Sequence, residues 1–146
     1  ESRGLGDVYK RQTLDMLQAL NTGHDGSMTT AHANSSRDLI ARLETMVLMA
    51  GMELPVRAIR EQIASAIDII VNQSRLKDGS RKIVEISEVV GMEGEVVTLQ
   101  TLFRFNVEGY DATGKVMGRF QSTGIRPMVL SKMEDRGIHI SDTWFA

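Results

Sequence analysis

Apolar residues recur at helical spacing in the first half of the chain and alternate with polar ones in the second. Leu14, Met16, Leu17 and Leu20 fall three and four residues apart, which predicts a short helix over Thr13 to Asn21 with Gly23 as its stop. Ser27 to Ala31 is short and rich in small or β-branched residues, and predicts a buried strand. Ser35 and Asp38 have capping-box spacing ahead of a helix expected to reach Ala50. Its apolar face is Leu39, Leu43, Met46, Val47 and Met49 or Ala50, with Arg37, Arg42 and Glu44 turned away and Gly51 as its end. Pro55 opens another helix, whose stripe is Val56, Ile59, Ile63 and Ala66 or Ile67, and which leaves Arg57, Arg60 and Glu61 facing water.

The pattern changes at Ile67. Ile67 to Gln73 and Arg81 to Val90 read as strands around a Lys77-Asp78-Gly79-Ser80 turn. Gly91 to Gly94 breaks the second, and Glu95 to Leu99 adds a further strand. Phe103 to Val107 and Val116 to Phe120 form another hairpin around Gly109 to Gly114, at a sheet edge. A short helix over Met128 to Arg136 follows Arg126-Pro127, stops at Gly137, and leaves a tail with Trp144 and Phe145. The order helix, strand, helix, helix, then hairpins predicts the later part of an α/β domain capped by antiparallel strands.

Composition narrows the function classes. At 146 residues, 42% hydrophobic and 25% charged, the chain has the material for one core. Its net charge of −2 gives no global basic field, and no nucleic-acid partner is expected. The absence of cysteine excludes disulfide and thiol chemistry. No apolar run approaches the roughly 18 residues of a membrane span.

Residues Ser2 to Gln12 resemble the translation of a transposase adapter used in sequencing libraries, one frame of which ends Asp-Val-Tyr-Lys-Arg-Gln. On that reading residues 1–12 are not natural sequence, and the natural segment is 13–146. Removing 1–12, which carries three basic and two acidic residues, moves the net charge only from −2 to −3.

Candidate chemistry gathers between Thr22 and Ser35, where His24 and His32 lie among Gly23, Gly26, Ser27, Thr29 and Thr30. No HExxH, no histidine pair at i,i+4 and no cysteine completes a metal set, so no metal is expected. No nucleophile elbow surrounds Ser27, Ser35 or Ser36. Two readings stay open. Both histidines could hydrogen-bond backbone around a tight turn, or an edge of imidazoles, threonine hydroxyls and glycine amides could face a phosphate. The sequence contains no G-x-x-x-x-G-K-[ST] loop, so any nucleotide site would be only partly supplied.

The run Thr-Gly-His-Asp-Gly-Ser-Met-Thr-Thr-Ala-His-Ala-Asn-Ser resembles the histidine box of the type II/type IV secretion traffic ATPases. Ser36-Arg37-Asp38, Arg42-Leu43-Glu44, Leu54 to Arg60, Ser65 to Asp68, Asp78 to Lys82 and Gly91 to Gly94 follow in family order. Thr13 to Ala19 and Gly124-Ile125-Arg126-Pro127 are similar to the CpaF/TadA branch, which powers Flp-type (tight adherence) pili. The resemblance implies the C-terminal portion of a RecA-like P-loop ATPase core, with appended β-hairpins and a short C-terminal helix. It implies ATP and Mg²⁺ as cofactors, with the phosphate loop and Walker B strand outside this sequence. It also implies a hexamer, cytoplasmic and peripheral to the inner membrane, working on a platform protein of a pilus or secretion system.

Carried over by position, His32 and His24 become the residues that sense the γ-phosphate region. Thr22 and Gly23 shape the turn, and Thr29 and Thr30 sit on the strand beside it. Arg37, Arg42, Arg57, Arg60 and Arg81 are alternatives for contacts to phosphate or to a neighbouring subunit, with plain solvation competing for each. Alternative functions are a type IV secretion (conjugation or effector) ATPase, and a non-catalytic docking module built on the C-terminal hairpin, Trp144 and Phe145.

Overall fold

A computed structural model describes residues 12–13, 15–18, 22, 26–51 and 53–146. The chain divides into two compact units. One comprises the described residues up to 68 together with 90–98, the other residues 69–89 and 99–146.

In the first unit, α1 covers the described helical residues 12–13 and 15–18, α2 is Ser36–Met49 and α3 is Val56–Ala66. Helix α2 starts where expected, because the Ser35 hydroxyl accepts the amide of Asp38 at 3.1 Å. It ends before Gly51, whose φ of +81° suits glycine. The buried stripe of α2 is Ser36, Ile40, Leu43 and Val47, so Ile40 replaces the expected Leu39 and Met49. That set follows the 4-3-4 spacing of one face, and Met49 falls on the opposite side, 60% exposed. Helix α3 packs on α2 and buries Ile59, Ile63 and Ala66. Val56, expected in that stripe, stays 38% exposed at the first turn.

The expected strand over Ser27 to Ala31 is absent. Residues 27–33 are irregular and Met28 is 97% exposed. β-propensity makes a strand only beside a hydrogen-bonded neighbour, and the one sheet among the described residues has no place for this segment.

The second unit is built on a four-stranded sheet in the order β1-β2-β3-β4. The strands are β1 Ile69–Arg75, β2 Arg81–Glu93, β3 Val96–Tyr110 and β4 Val116–Ser122. Residues 90–93 of β2 and 96–98 of β3 belong to the first unit. Gly91 does not break β2. The turn comes at Gly94-Glu95, and the two strands expected over Glu95–Leu99 and Phe103–Val107 are one. Strand β4 lies at the edge, as its hairpin pattern predicted.

Carboxylates fix the turns of this unit. Asp78 accepts from the amide and hydroxyl of Ser80 at 2.9 and 2.6 Å, and from the amide of Val116 at 2.8 Å. Asp111 does the same locally for Thr113 and Lys115. All four phenylalanines of the chain lie here. Phe103 stacks on Phe120 at 5.6 Å and meets Phe145 at 5.8 Å. The Phe105 ring lies over Gly118, where a Cβ would meet its Cζ at 2.8 Å and also run into the Asn106 carbonyl. The short helix α4, Val129–Glu134, is shorter than expected, and a 3₁₀ turn over Asp142–Phe145 ends the chain.

A buried acid holds α4. Glu88 is 2% exposed, and its carboxylate accepts from the amides of Met128 at 2.9 Å and Val129 at 2.6 Å and from Gln100 Nε2 at 2.5 Å. An anion on the orphan amides of a helix N-terminus is favourable where water is excluded.

Candidate functional site

The described residues singled out for the phosphate-facing reading belong to the first unit, except Arg81; Trp144 and Phe145, named for the docking alternative, belong to the second. Gly23 and His24 lie outside the described residues. Thr22 ends the turn after α1, and its amide donates to the Gln18 carbonyl at 2.9 Å. Gly26, with φ +82°, then turns the chain into the irregular segment that carries Thr29, Thr30 and His32. These three side chains are exposed and make no hydrogen bond with other described residues. Their hydroxyls and imidazole are open to a ligand, presented from a loop rather than from a strand end.

The loop is anchored at its far end. Arg42, one turn and a half into α2, donates from Nη1 to the His32 carbonyl at 2.9 Å. Ser35 caps the same helix three residues further on. The backbone at His32 is therefore fixed to the start of α2 while its ring stays in solvent. This arrangement can donate hydrogen bonds to an anion and can transmit a displacement to α2. Among the described residues no cluster of three or more His, Asp or Glu could hold a metal ion.

The five candidate arginines separate by their partners. Arg42 is used by the His32 carbonyl. Arg57 pairs with Glu61 at 3.0 Å along α3 and is well exposed. Arg60, expected to face water, instead makes a two-pronged pair with Glu44 at 2.9 and 3.0 Å and donates to the Glu95 carbonyl at 2.9 Å. The Glu44 hydrogen bonds are the main reason its guanidinium is held above the ordinary arginine range, against a smaller opposing effect of burial. Arg60 thus ties α2, α3 and the 90–98 segment together inside the first unit. Arg37 and Arg81 are exposed and make no ion pair among the described residues.

Sequence reasoning missed two polar anchors, the Arg60–Glu44 pair and Glu88. The first left a signal. Glu44 follows the buried Leu43, and Arg60 follows the buried Ile59, so each sits beside its helix's packed stripe. Glu88 left a weaker one, as one of two acids, with Glu85, among the apolar residues of Ile83 to Val90.

A helical layer with a solvent-facing His/Thr loop, joined in sequence to an antiparallel sheet, defines a mixed α/β chain whose polar site lies at a loop–helix junction. The chain belongs to the type II/IV secretion system protein family, whose model matches residues 5–124. Its helices and antiparallel sheet are compatible with an α/β portion of that family's domain. It is 34% identical over 92 residues to a Mycobacterium tuberculosis protein named as a conjugal transfer protein, an alignment covering 63% of this chain and 26% of that one. It is 36% identical over 90 residues to the conjugal transfer protein TrbB of Rhizobium radiobacter, covering 62% and 25%. It is 33% identical over 88 residues to the type IV secretion system protein VirB11 of Brucella abortus, covering 58% and 24%. The chain spans about a quarter of the length of these relatives.

Proposed function

We propose that this chain carries the histidine box of a secretion ATPase. In this reading the intact protein hydrolyses ATP with Mg²⁺, as a cytoplasmic hexamer at the inner membrane, to drive assembly of Flp-type pilin subunits through a membrane platform protein. The reading is supported by the family match, which includes the whole Thr22 to Ser35 stretch. Its mechanism needs donors placed around a transferred phosphoryl group. His32, with Thr29 and Thr30, supplies them from the loop, and the Arg42 link passes nucleotide state to α2, while Thr22, Gly23 and His24 hold the remaining histidine-box positions by sequence. The phosphate loop and the Mg²⁺ ligands come from sequence outside these residues, so the 146-residue chain alone does not hydrolyse ATP.

The test is His32→Ala in the intact protein, with ATPase turnover and pilus output as readouts. Turnover should fall at least about tenfold with the fold retained. Unchanged turnover and pilus assembly would end the proposal.

A second reading is transfer of DNA or effectors by a type IV secretion system, and it is favoured by the names of the relatives. Pilin and prepilin-peptidase genes beside this one would support the first, conjugation genes the second. We also propose that residues 1–12 derive from an adapter. The family match enters that stretch at residue 5, so uninterrupted DNA sequence upstream of Thr13 is the measurement that separates adapter from natural arm.

A further inference from the structure

Two polar links leave α2 two residues apart. Arg42 reaches back to the His32 carbonyl at 2.9 Å, and Glu44 takes both prongs of Arg60 from α3 at 2.9 and 3.0 Å. Two residues turn a helix through about 200°, so the links leave opposite sides of it. Arg60 Nη1 also donates to the Glu95 carbonyl at 2.9 Å, in the turn between β2 and β3. A run of guanidinium hydrogen bonds thus joins the His32 backbone, α2, α3 and the Gly94-Glu95 turn, all within the first unit.

The Arg60–Glu44 pair is built for orientation. Its side chains are 28% and 19% exposed, against 63% and 54% for the Arg57–Glu61 pair along α3. Water and salt weaken the sheltered pair less. Buried Leu43 and Val47 of α2 and Ile59 and Ile63 of α3 already hold the two helices together. Apolar side chains can repack around a small rotation of a helix, whereas a fork-to-fork guanidinium–carboxylate pair has one geometry. Arg60 therefore fixes how α2 is turned about its axis, and with it where Arg42 holds the loop.

We propose that Arg60 is a positioning residue for the His32 loop. Acting through Glu44 and then Arg42, it makes the loop and the Gly94-Glu95 turn move as one body. An event that displaces the turn is then felt at Thr29, Thr30 and His32, which gives the phosphate-facing edge a regulatory handle outside the edge itself. The effect on turnover rests on the ATPase reading, and the linked geometry does not.

The geometry is tested on the full 146-residue chain. It has no cysteine, so Met28→Cys and Glu93→Cys, both at exposed positions, alone take nitroxide labels. Pulsed electron paramagnetic resonance should give one narrow distance in the otherwise wild-type chain. Arg60→Gln, Glu44→Gln and Arg42→Gln should each broaden it, and Arg57→Gln should leave it unchanged. Circular dichroism verifies folding, and Arg60→Lys, which keeps the charge and loses the fork, replaces Arg60→Gln if that variant does not fold. A broad starting distribution, no change in the Arg60, Glu44 and Arg42 variants, or the same broadening in Arg57→Gln would overturn the proposal.

Turnover is read in the intact protein, where each variant is folded. Arg60→Gln should lower kcat about fivefold and leave the KM for ATP within about twofold. It should add no further loss to His32→Ala. The same fold-loss in both backgrounds would mark a merely structural role and overturn the proposal. A fully active His32→Ala protein would end the ATPase reading alone, and the distance measurement would still decide whether Arg60 positions the loop.

Discussion

Between Met28 and His32 the chain turns its polar side chains outward and leaves them without partners among the described residues. In the sheet unit, Asp78, Glu88 and Asp111 turn inward and spend their carboxylates on backbone amides. Polar side chains do opposite work in the two regions. The first region keeps its hydrogen-bonding capacity for something else, while the second uses it to close turns and seat a helix. Substitutions in the sheet unit should therefore register as stability, and substitutions in the loop as activity.

Glu88 should give the largest stability effect. Glu88→Ala strands two helix-terminal amides and the Gln100 side chain in a buried site, at a cost of about 3 kcal/mol or more in chemical denaturation. A loss below about 1 kcal/mol would show that water or a neighbour replaces the carboxylate. Gly118→Ala comes next. Its Cβ would run into the Asn106 carbonyl and the Phe105 ring, and destabilisation of about 1–3 kcal/mol is expected. A neutral result would place the Phe105 ring elsewhere.

Arg60 and Glu44 sharpen the contrast inside the first unit. Arg60→Gln and Glu44→Gln should each lower the melting temperature, and the double variant should lower it by less than the sum. Additive losses would mean that the two side chains act independently.

The mildest effect is a pH dependence. Hydrogen bonds from Ser80 first, then from the Val116 and Ser80 amides, hold the Asp78 carboxyl below its ordinary 3.8, at about 2. A depressed carboxyl stabilises the fold above its unfolded pKa, and this contribution is lost as pH falls from about 4 toward 2. Asp78→Asn should remove that part of the acid dependence, followed by thermal melts across this range. An unchanged acid limb would assign it to other carboxylates.

What could be read in advance divides along similar lines. Helices α2 and α3 followed from local signals, the Ser35 cap, the Pro55 start and the apolar stripes, because those are short-range physics. The hairpin at Asp78-Gly79 followed for the same reason. Ser27 to Ala31 did not become a strand, since its composition supplies propensity but no neighbour. Strand β2 ran through the Gly91 expected to stop it, because pairing along the ladder outweighs one glycine. The Arg60–Glu44 pair links residues 16 apart and the Glu88 cap residues about 40 apart, and such contacts belong to the packing rather than to any local pattern. The candidate site was legible as a motif. Its geometry as an exposed loop anchored by Arg42 at the His32 carbonyl was not, since a side chain reaching a backbone oxygen ten residues away leaves no composition signal.

The central claim is that the loop serves activity and not stability, and His32 tests it most directly. In the intact protein, His32→Ala should leave the melting transition within about 0.5 kcal/mol of wild type, as befits an exposed side chain, while ATPase turnover falls at least about tenfold. Wild-type turnover in a folded His32→Ala protein would contradict the account.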